Sequence, residues 1–366
     1  MEPSLIPSAT RIEPAATPEA DRLRPVRIWL YAIAFLVLLM VVVGGATRLT
    51  GSGLSITTWR PISGILPPFS DADWLAEFEA YKQIPQYEVL NSWMGIEDFK
   101  YIFWWEWGHR FLGRIIGFAF AIPFVIFLIQ RRFSWNLAAP LALLFVLGGF
   151  QGFLGWWMVS SGLSELTSVS QYRLAIHLFA ASLLFIALIW VARRLTLLRP
   201  YPVPIAEPPI SRELWPPAVL LGLVLLQIVA GAFVAGLDAG TGWNTWPLMD
   251  GALIPPGLDT LEPFWRNLFE NHLTVQFTHR IIAYAIVAYA GWLLWRQARR
   301  GGFPSAHAWL PRLFLLILLQ VILGIATLVF VVPLSLALGH QALAFMLAGA
   351  TTAYLADLAP RRPVRA

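Results

Sequence analysis

The sequence contains no cysteine and few charged residues. Without cysteine, disulfide bonds and thiolate metal sites are excluded. Charged residues occupy only 13% of the 366 positions, whereas hydrophobic residues occupy 58%. A water-soluble domain cannot cover that much apolar surface with so few charges. The composition therefore excludes a water-soluble fold and predicts an integral membrane protein, with the lipid bilayer as its surroundings.

Long apolar stretches are abundant. Runs of about 20 apolar residues, the length of a helix that crosses a bilayer, recur along the chain. They predict an all-α integral membrane protein with eight transmembrane helices. The predicted spans are 26–48, 110–130, 137–160, 172–193, 215–237, 275–296, 308–332 and 334–355.

The charges sort to opposite sides of these spans. The net charge of +5 comes from arginines near the termini and in short loops, so no nucleic-acid partner is predicted. Acidic residues concentrate in the long segments after the first and fifth spans. The positive-inside rule then predicts a multi-pass protein of a bacterial inner membrane, with both termini cytoplasmic and the acidic segments periplasmic.

The second part of the chain repeats the first. EWGHRFLGRIIGFAF (106–120) aligns with QFTHRIIAYAIVAYA (276–290), and QGFLG (151–155) aligns with QVILG (320–324). The repeat predicts two pseudo-symmetric four-helix bundles. Three Q-x-x-x-G segments, the third at 227–231, predict close helix contacts. The predicted boundaries are a disordered cytoplasmic tail at 1–25, an N-terminal half at 26–195, a cytoplasmic linker at 196–214, a C-terminal half at 215–357 and a cytoplasmic tail at 358–366.

Four histidines, two in each half, are the main candidates for chemistry. They are His109, His177, His279 and His340. Each lies near the start of an even-numbered span, so all four are predicted near the periplasmic face. Ionisable side chains inside a bilayer are costly and usually functional. A purely structural role, such as a helix cap, suits one isolated histidine better than four at matching depth.

Two histidines per half suit heme better than zinc. Zinc sites use three or four protein ligands, often including cysteine, whereas two facing imidazoles are sufficient for one heme iron. Arg110 and Arg280 directly follow His109 and His279, on the acidic side of the membrane. They are predicted to pair with heme propionates, with snorkelling to lipid headgroups as the alternative.

One position distinguishes the two halves. Glu106 precedes His109 by three residues, on the same helix face, and the aligned residue of the second half is Gln276. A carboxylate beside only one histidine pair predicts that one half binds a heme permanently and the other handles a heme as substrate. Simple solvation of Glu106 is the alternative.

Seven segments carry a resemblance to a known family. They are GGATRLTGSGLS (44–55), EWGHRFLGRIIG (106–117), QGFLGWWMVSSGL (151–163), YRLAIHLFAA (172–181), DAGTGWNTWPLMDG (238–251), QFTHRIIAY (276–284) and LGHQALA (338–344). They resemble the heme A synthases in their alpha-proteobacterial and mitochondrial form. The resemblance implies an oxidoreductase acting on a CH group, which oxidises a methyl substituent of heme O to a formyl group. The product, heme A, serves terminal oxidases.

The same resemblance implies roles for individual residues. His279 and His340 are expected to be the axial ligands of the iron of a heme b cofactor. His109 and His177 are expected to bind the iron of the substrate heme, and together with Glu106 they form the predicted catalytic set. The implied partners are heme O, the heme O synthase that produces it, and an electron acceptor of unidentified nature.

Two other functions also fit four histidines. A di-heme b-type membrane electron carrier would have the same ligands, but it needs no Glu106 and would favour hemes at both membrane faces. A heme exporter would release unmodified heme and would not depend on the acid. These alternatives differ from a synthase in what happens to the heme.

Overall fold

The computed structural model describes residues 18–60, 63–164, 166–196, 213–302 and 307–360, and these residues form an all-α fold. In place of strands, the described residues contain one isolated β-bridge between Met249 and Ala252. The α-helices are α1 (Pro18–Leu49), α2 (Asp71–Tyr81), α3 (Ile96–Ile129), α4 (Trp135–Ser160), α5 (Gln171–Thr196), α6 (Trp215–Gly236), α7 (Asn267–Glu270), α8 (His272–Arg299), α9 (Trp309–Val329) and α10 (Leu334–Leu358).

Eight helices of the described chain are long and apolar enough to cross a membrane, namely α1, α3, α4, α5, α6, α8, α9 and α10. Their number confirms the eight predicted spans. Large apolar side chains project outward from them, among them Phe118, Leu147 and Leu315. Such an apolar perimeter suits contact with lipid. The protein is therefore a multi-pass membrane protein.

The ends of α1 and α9 differ from the predicted spans. Helix α1 begins at Pro18, inside the predicted tail, because Leu23 and Val26 already pack into the core. Helix α9 ends before residue 332, because Val331 and Val332 adopt positive φ angles of 59° and 57° in the turn to α10. The predicted tail and linker residues 1–17, 197–212 and 361–366 lie outside the described residues.

Helix α3 begins at Ile96, far outside the predicted span that starts at residue 110. Asp98 Oδ2 accepts a hydrogen bond from the Gly95 backbone N–H at 3.0 Å, which satisfies one of the free donors at the start of the helix. The first turns carry Glu97, Asp98 and Lys100, so hydropathy does not reveal them. The histidine-bearing helix therefore extends well beyond its apolar span.

The first long outer segment is folded. Five aromatic residues of α2 and α3, namely Trp74, Phe78, Tyr81, Phe99 and Phe103, are at most 9% exposed and form a cluster of their own. Phe78 and Phe99 stack with ring centroids 5.1 Å apart. Burying one large apolar side chain contributes about 1.5–3 kcal/mol. This cluster packs the start of α3 against α2 in a stable unit. The same helix continues to His109.

Four helices join the halves at the centre. Helices α5 and α10 contact each other and both α1 and α6, while α3 and α4 flank these four helices on one side and α8 and α9 on the other. Phe185 of α5 meets Phe345 of α10 edge-on, with ring centroids 5.6 Å apart. The order of helix contacts is the same in the two halves, as expected from the sequence repeat. Each half thus places one candidate histidine on a central helix and one on a flanking helix.

Candidate functional site

The structure brings His279 of α8 and His340 of α10 together. Their ring centroids are 6.4 Å apart and the ring planes meet at 70°. The Nδ1 atom of each ring is buried and has no hydrogen-bond partner among the described residues. A metal-bound imidazole nitrogen lies about 2 Å from the metal, so rings at this separation can take one ion between them. The pair fits a metal centre with two imidazole ligands.

Each of the four histidines packs against a glycine of a neighbouring helix. A Cβ atom built on any of these glycines would lie close enough to displace the ring. The closest distances from that Cβ to the ring are 3.0 Å for Gly44 with His109, 3.2 Å for Gly155 with His177, 3.2 Å for Gly231 with His279 and 2.7 Å for Gly324 with His340. The predicted close contacts of the Q-x-x-x-G segments are therefore contacts with the histidine rings.

The predicted second pair consists of His109 of α3 and His177 of α5. Unlike His279 and His340, they make no ring-to-ring contact in the described part of the chain. The two pairs therefore differ in geometry as well as in their neighbours.

The candidate metal ligands in the described part of the chain are pairs of histidines. Among the described residues, no group of three or more histidine or carboxylate side chains could hold a metal ion. Zinc usually requires such a group, whereas a heme supplies four ligands of its own and needs only one or two from the protein. The buried Nδ1 atoms of His279 and His340 and the glycine-shaped ring pockets are compatible with heme.

Glu106 is anchored inside the protein. The residue is 2% exposed, so the alternative of a solvated carboxylate is wrong. Oε2 accepts hydrogen bonds from Ser55 Oγ and from the Ile56 backbone N–H, both at 2.8 Å. Oε1 accepts from Arg110, at 3.0 Å from Nε and 2.7 Å from Nη2. The carboxylate therefore ties α3 to the segment that follows α1.

Gln276 occupies the corresponding place in the other half, but it donates hydrogen bonds to the outer segment where Glu106 accepts them. It is 3% exposed, and its Nε2 donates to the carbonyls of Ala239 (2.8 Å) and Gly242 (2.7 Å). Its Oε1 accepts a hydrogen bond from Arg280 at 3.0 Å. One half thus presents an acceptor to N–H and O–H groups, and the other a donor to carbonyls.

The two predicted propionate partners bind backbone carbonyls of the outer segments. These bonds are Arg110 to the carbonyls of Ile56 (2.8 Å) and Thr58 (3.1 Å), and Arg280 to those of Trp243 (2.7 Å) and Thr245 (2.9 Å). Arg280 also keeps a buried Nε–H without a partner in the described part of the chain. The sequence did not predict that these arginines bind the outer segments, nor that Glu106 does so through Ser55, although Ser55 lies within the GGATRLTGSGLS segment.

The chain is similar to known proteins over most of its length. A sequence model of the COX15-CtaA family, described as cytochrome oxidase assembly protein, matches residues 27–352. A protein named heme A synthase from Azorhizobium caulinodans is 56% identical over 89% of this chain and 92% of its own. Proteins of the same name from Allorhizobium ampelinum and Rhodopseudomonas palustris are 52% and 50% identical, over 91% and 90% of this chain and 90% and 89% of their own.

Proposed function

Because the chain belongs to the COX15-CtaA family of cytochrome oxidase assembly proteins, we propose that it is a heme A synthase. It replaces two hydrogens of a methyl substituent of heme O with one oxygen, which gives the formyl group of heme A. The observation that carries this assignment is the asymmetry of two histidine pairs, of which only one has a buried carboxylate one turn away.

The C-terminal half holds the resident cofactor, heme b, between His279 and His340. The heme supplies a redox-active iron for the oxidation. The protein orients the two imidazoles by packing them against Gly231 and Gly324. The free Nε–H of Arg280 is available to a propionate.

The N-terminal half takes the substrate heme between His109 and His177. Glu106 fixes the Arg110 guanidinium and the Ile56 backbone around this pair. A carboxylate in this position stabilises positive charge that develops at the oxidised methyl carbon, or takes a proton from water there. Both roles require a negative group beside His109 and His177 but not beside the other pair. The aligned residue there is the neutral Gln276, in agreement with this requirement.

The protein works in a bacterial inner membrane with both termini in the cytoplasm and both sites near the periplasmic face. Heme O is too apolar to diffuse through water, so a direct transfer from heme O synthase supplies it. The electrons pass to an acceptor of unidentified nature. Co-purification of the two enzymes from native membranes tests the transfer, and repeated failure to associate would contradict it.

Pigment analysis tests the activity itself. The full chain is expressed with a heme O synthase in a host that lacks its own heme A synthase, and the extracted hemes are separated by chromatography. Heme A is expected only when both enzymes are present. A chain that binds heme but leaves all heme O unchanged would contradict the proposal and favour the electron carrier.

A further inference from the structure

Three of the four histidines are held by a glutamine of a neighbouring helix. In each pair the glutamine Nε2 donates to the backbone carbonyl of the histidine and also lies beside a ring nitrogen. The distances to the carbonyl and to the ring nitrogen are 2.8 and 3.2 Å for Gln151 with His177, 3.0 and 3.1 Å for Gln227 with His279, and 3.0 and 3.5 Å for Gln320 with His340.

Each glutamine stands four residues before the glycine that faces the same ring. Residues four apart lie on one face of a helix, one turn from each other. At His340, for example, the Gln320 amide lies on one side of the ring and Gly324 leaves the space that the ring fills. The glutamine and the glycine together fix the position of the imidazole.

His109 lacks this arrangement. Gly44 faces its ring, but the residue four positions earlier is Met40, whose side chain has no hydrogen-bond donor. The Met40 Cε atom instead lies 3.5 Å from a Cβ built on Gly113, one turn beyond His109. Within the described chain, the His109 imidazole makes no hydrogen bond, in contrast to the three other rings.

Groups outside the ligand set orient a metal-bound histidine, and their loss typically weakens metal affinity about 10–100-fold. The glutamine Nε2 is a donor and cannot accept the N–H of a metal-bound imidazole, so these glutamines act through the histidine backbone carbonyl and through packing beside the ring. A cofactor must stay bound, whereas a product must leave. A ligand without such support is therefore suited to the exchanging site.

We propose that the three glutamines are positioning residues for heme-ligating histidines, and that Met40, in place of a fourth glutamine, makes His109 the ligand that releases heme. The inference rests on the proposed function, since it assigns the exchanging site to the N-terminal half. It deepens that function by naming the residue that sets how readily heme leaves.

Heme release tests the proposal without turnover. The full-length protein in detergent is loaded with heme B in both halves, and transfer to excess apomyoglobin is followed by absorbance. The Met40→Gln variant is expected to slow the faster release phase about 10–100-fold, whereas Met40→Leu leaves it unchanged. Equal rates in Met40→Gln and the wild type, or equal slowing by Met40→Leu, would overturn the role of Met40.

The reverse change is made in the other half. Gln227→Met gives His279 the surroundings of His109 and is expected to speed release of the slower heme about 10–100-fold. It also shifts the reduction potential of that heme, by about 59 mV for each tenfold change in the ratio of ferric to ferrous affinity. An unchanged potential would overturn the positioning role of Gln227, because a general loosening of the fold does not alter the ligation of the iron.

Gln227→Glu, which sets a carboxylate against the His279 carbonyl oxygen in place of a donor, is expected to release heme as fast as Gln227→Met. Slow release from this variant would contradict the assignment. The release assay uses heme B alone, so its result is independent of heme A formation. A chain that makes no heme A but shows the Met40 effect would refute the proposed function and leave the ligand assignment standing.

Discussion

The two histidine pairs occupy similar positions in the fold, but their surroundings differ. In the C-terminal half, His279 and His340 face each other and each is held by a glutamine. In the N-terminal half, His109 lacks a glutamine and a buried carboxylate stands one turn away. The half with better-supported ligands is suited to retain a heme, and the half with the acid and the freer ligand is suited to exchange and oxidise one. On the proposed function, differences of a few side chains divide two similar histidine pairs into a cofactor site and a substrate site.

Substitution of Glu106, the residue that differs from its aligned partner Gln276, has the largest expected effect. In Glu106→Gln, part of the amide must present a donor where the carboxylate now accepts from Ser55, Ile56 and Arg110. Loss of the negative group should lower heme A formation about 10²–10⁴-fold, as measured by chromatography of extracted hemes.

The matched control is Gln276→Glu, which sets a carboxylate against the carbonyl oxygens of Ala239 and Gly242. Its repulsion should loosen the retained heme b and lower heme A formation less than Glu106→Gln does. Equal losses in the two variants would mean that the halves do not differ in their chemistry.

Removing one partner of the acid has a smaller expected effect. Ser55 is fully buried and donates to Glu106 Oε2 at 2.8 Å. A hydrogen bond to a charged group contributes about 1.5–3 kcal/mol, so Ser55→Ala should lower the rate of heme A formation about tenfold or more. Ser52→Ala, a buried serine of the same segment whose hydroxyl contacts Thr50, should retain nearly full activity. Retained activity in Ser55→Ala would show that this anchor does not matter.

Substitution of Glu270, which links the second outer segment to the first half, has the smallest expected effect. Glu270 accepts hydrogen bonds from Arg266 (2.9 Å) and Tyr172 (2.8 Å). These bonds, that of Arg266 above all, hold the pKa of Glu270 below its usual value of 4.5. A carboxylate whose pKa is lowered by folding stabilises the fold above its unfolded pKa and loses that contribution as the pH falls through the folded pKa.

Glu270→Gln should therefore lower the melting temperature at pH 7, and the difference from the wild type should shrink as the pH falls below about 4.5. The melting temperature in detergent is measured at pH 7 and at a pH below about 4.5. Glu262→Gln, a change at an exposed carboxylate of the same segment, is the control and should behave like the wild type. A Glu270→Gln deficit that stays constant with pH would contradict the assigned cause.

The sequence predicted the features that depend on composition and on spacing along one helix. Long apolar runs located the eight spans, and the three-residue spacing from Glu106 to His109 placed the acid one turn from a ligand. It predicted close helix contacts at the Q-x-x-x-G segments, but not which residues these contacts involve. Gln320 and His340 lie on different helices, so only the structure shows that the amide reaches the backbone carbonyl and the ring of His340. The difference at Met40 becomes visible only when the surroundings of the four histidines are compared.

The folded outer segment was also missed, for a different reason. Hydropathy finds stretches that suit lipid, whereas α2 and the start of α3 mix charged residues with a compact aromatic cluster. Their stability comes from packing of Trp74 and Phe78 against Phe99 and Phe103, which are distant in sequence. Such packing has no periodic pattern along a single span.

Identification of the heme held by each half tests the central claim most directly. Wild type, His177→Ala and His340→Ala are purified from cells that contain heme O synthase, and the bound hemes are extracted and identified. Both substituted residues lie on central helices at equivalent places, so each variant controls for the other. The account predicts that His177→Ala keeps heme B but carries no heme O or heme A, and that His340→Ala loses heme B. Loss of heme B from His177→Ala together with its retention in His340→Ala would contradict the account.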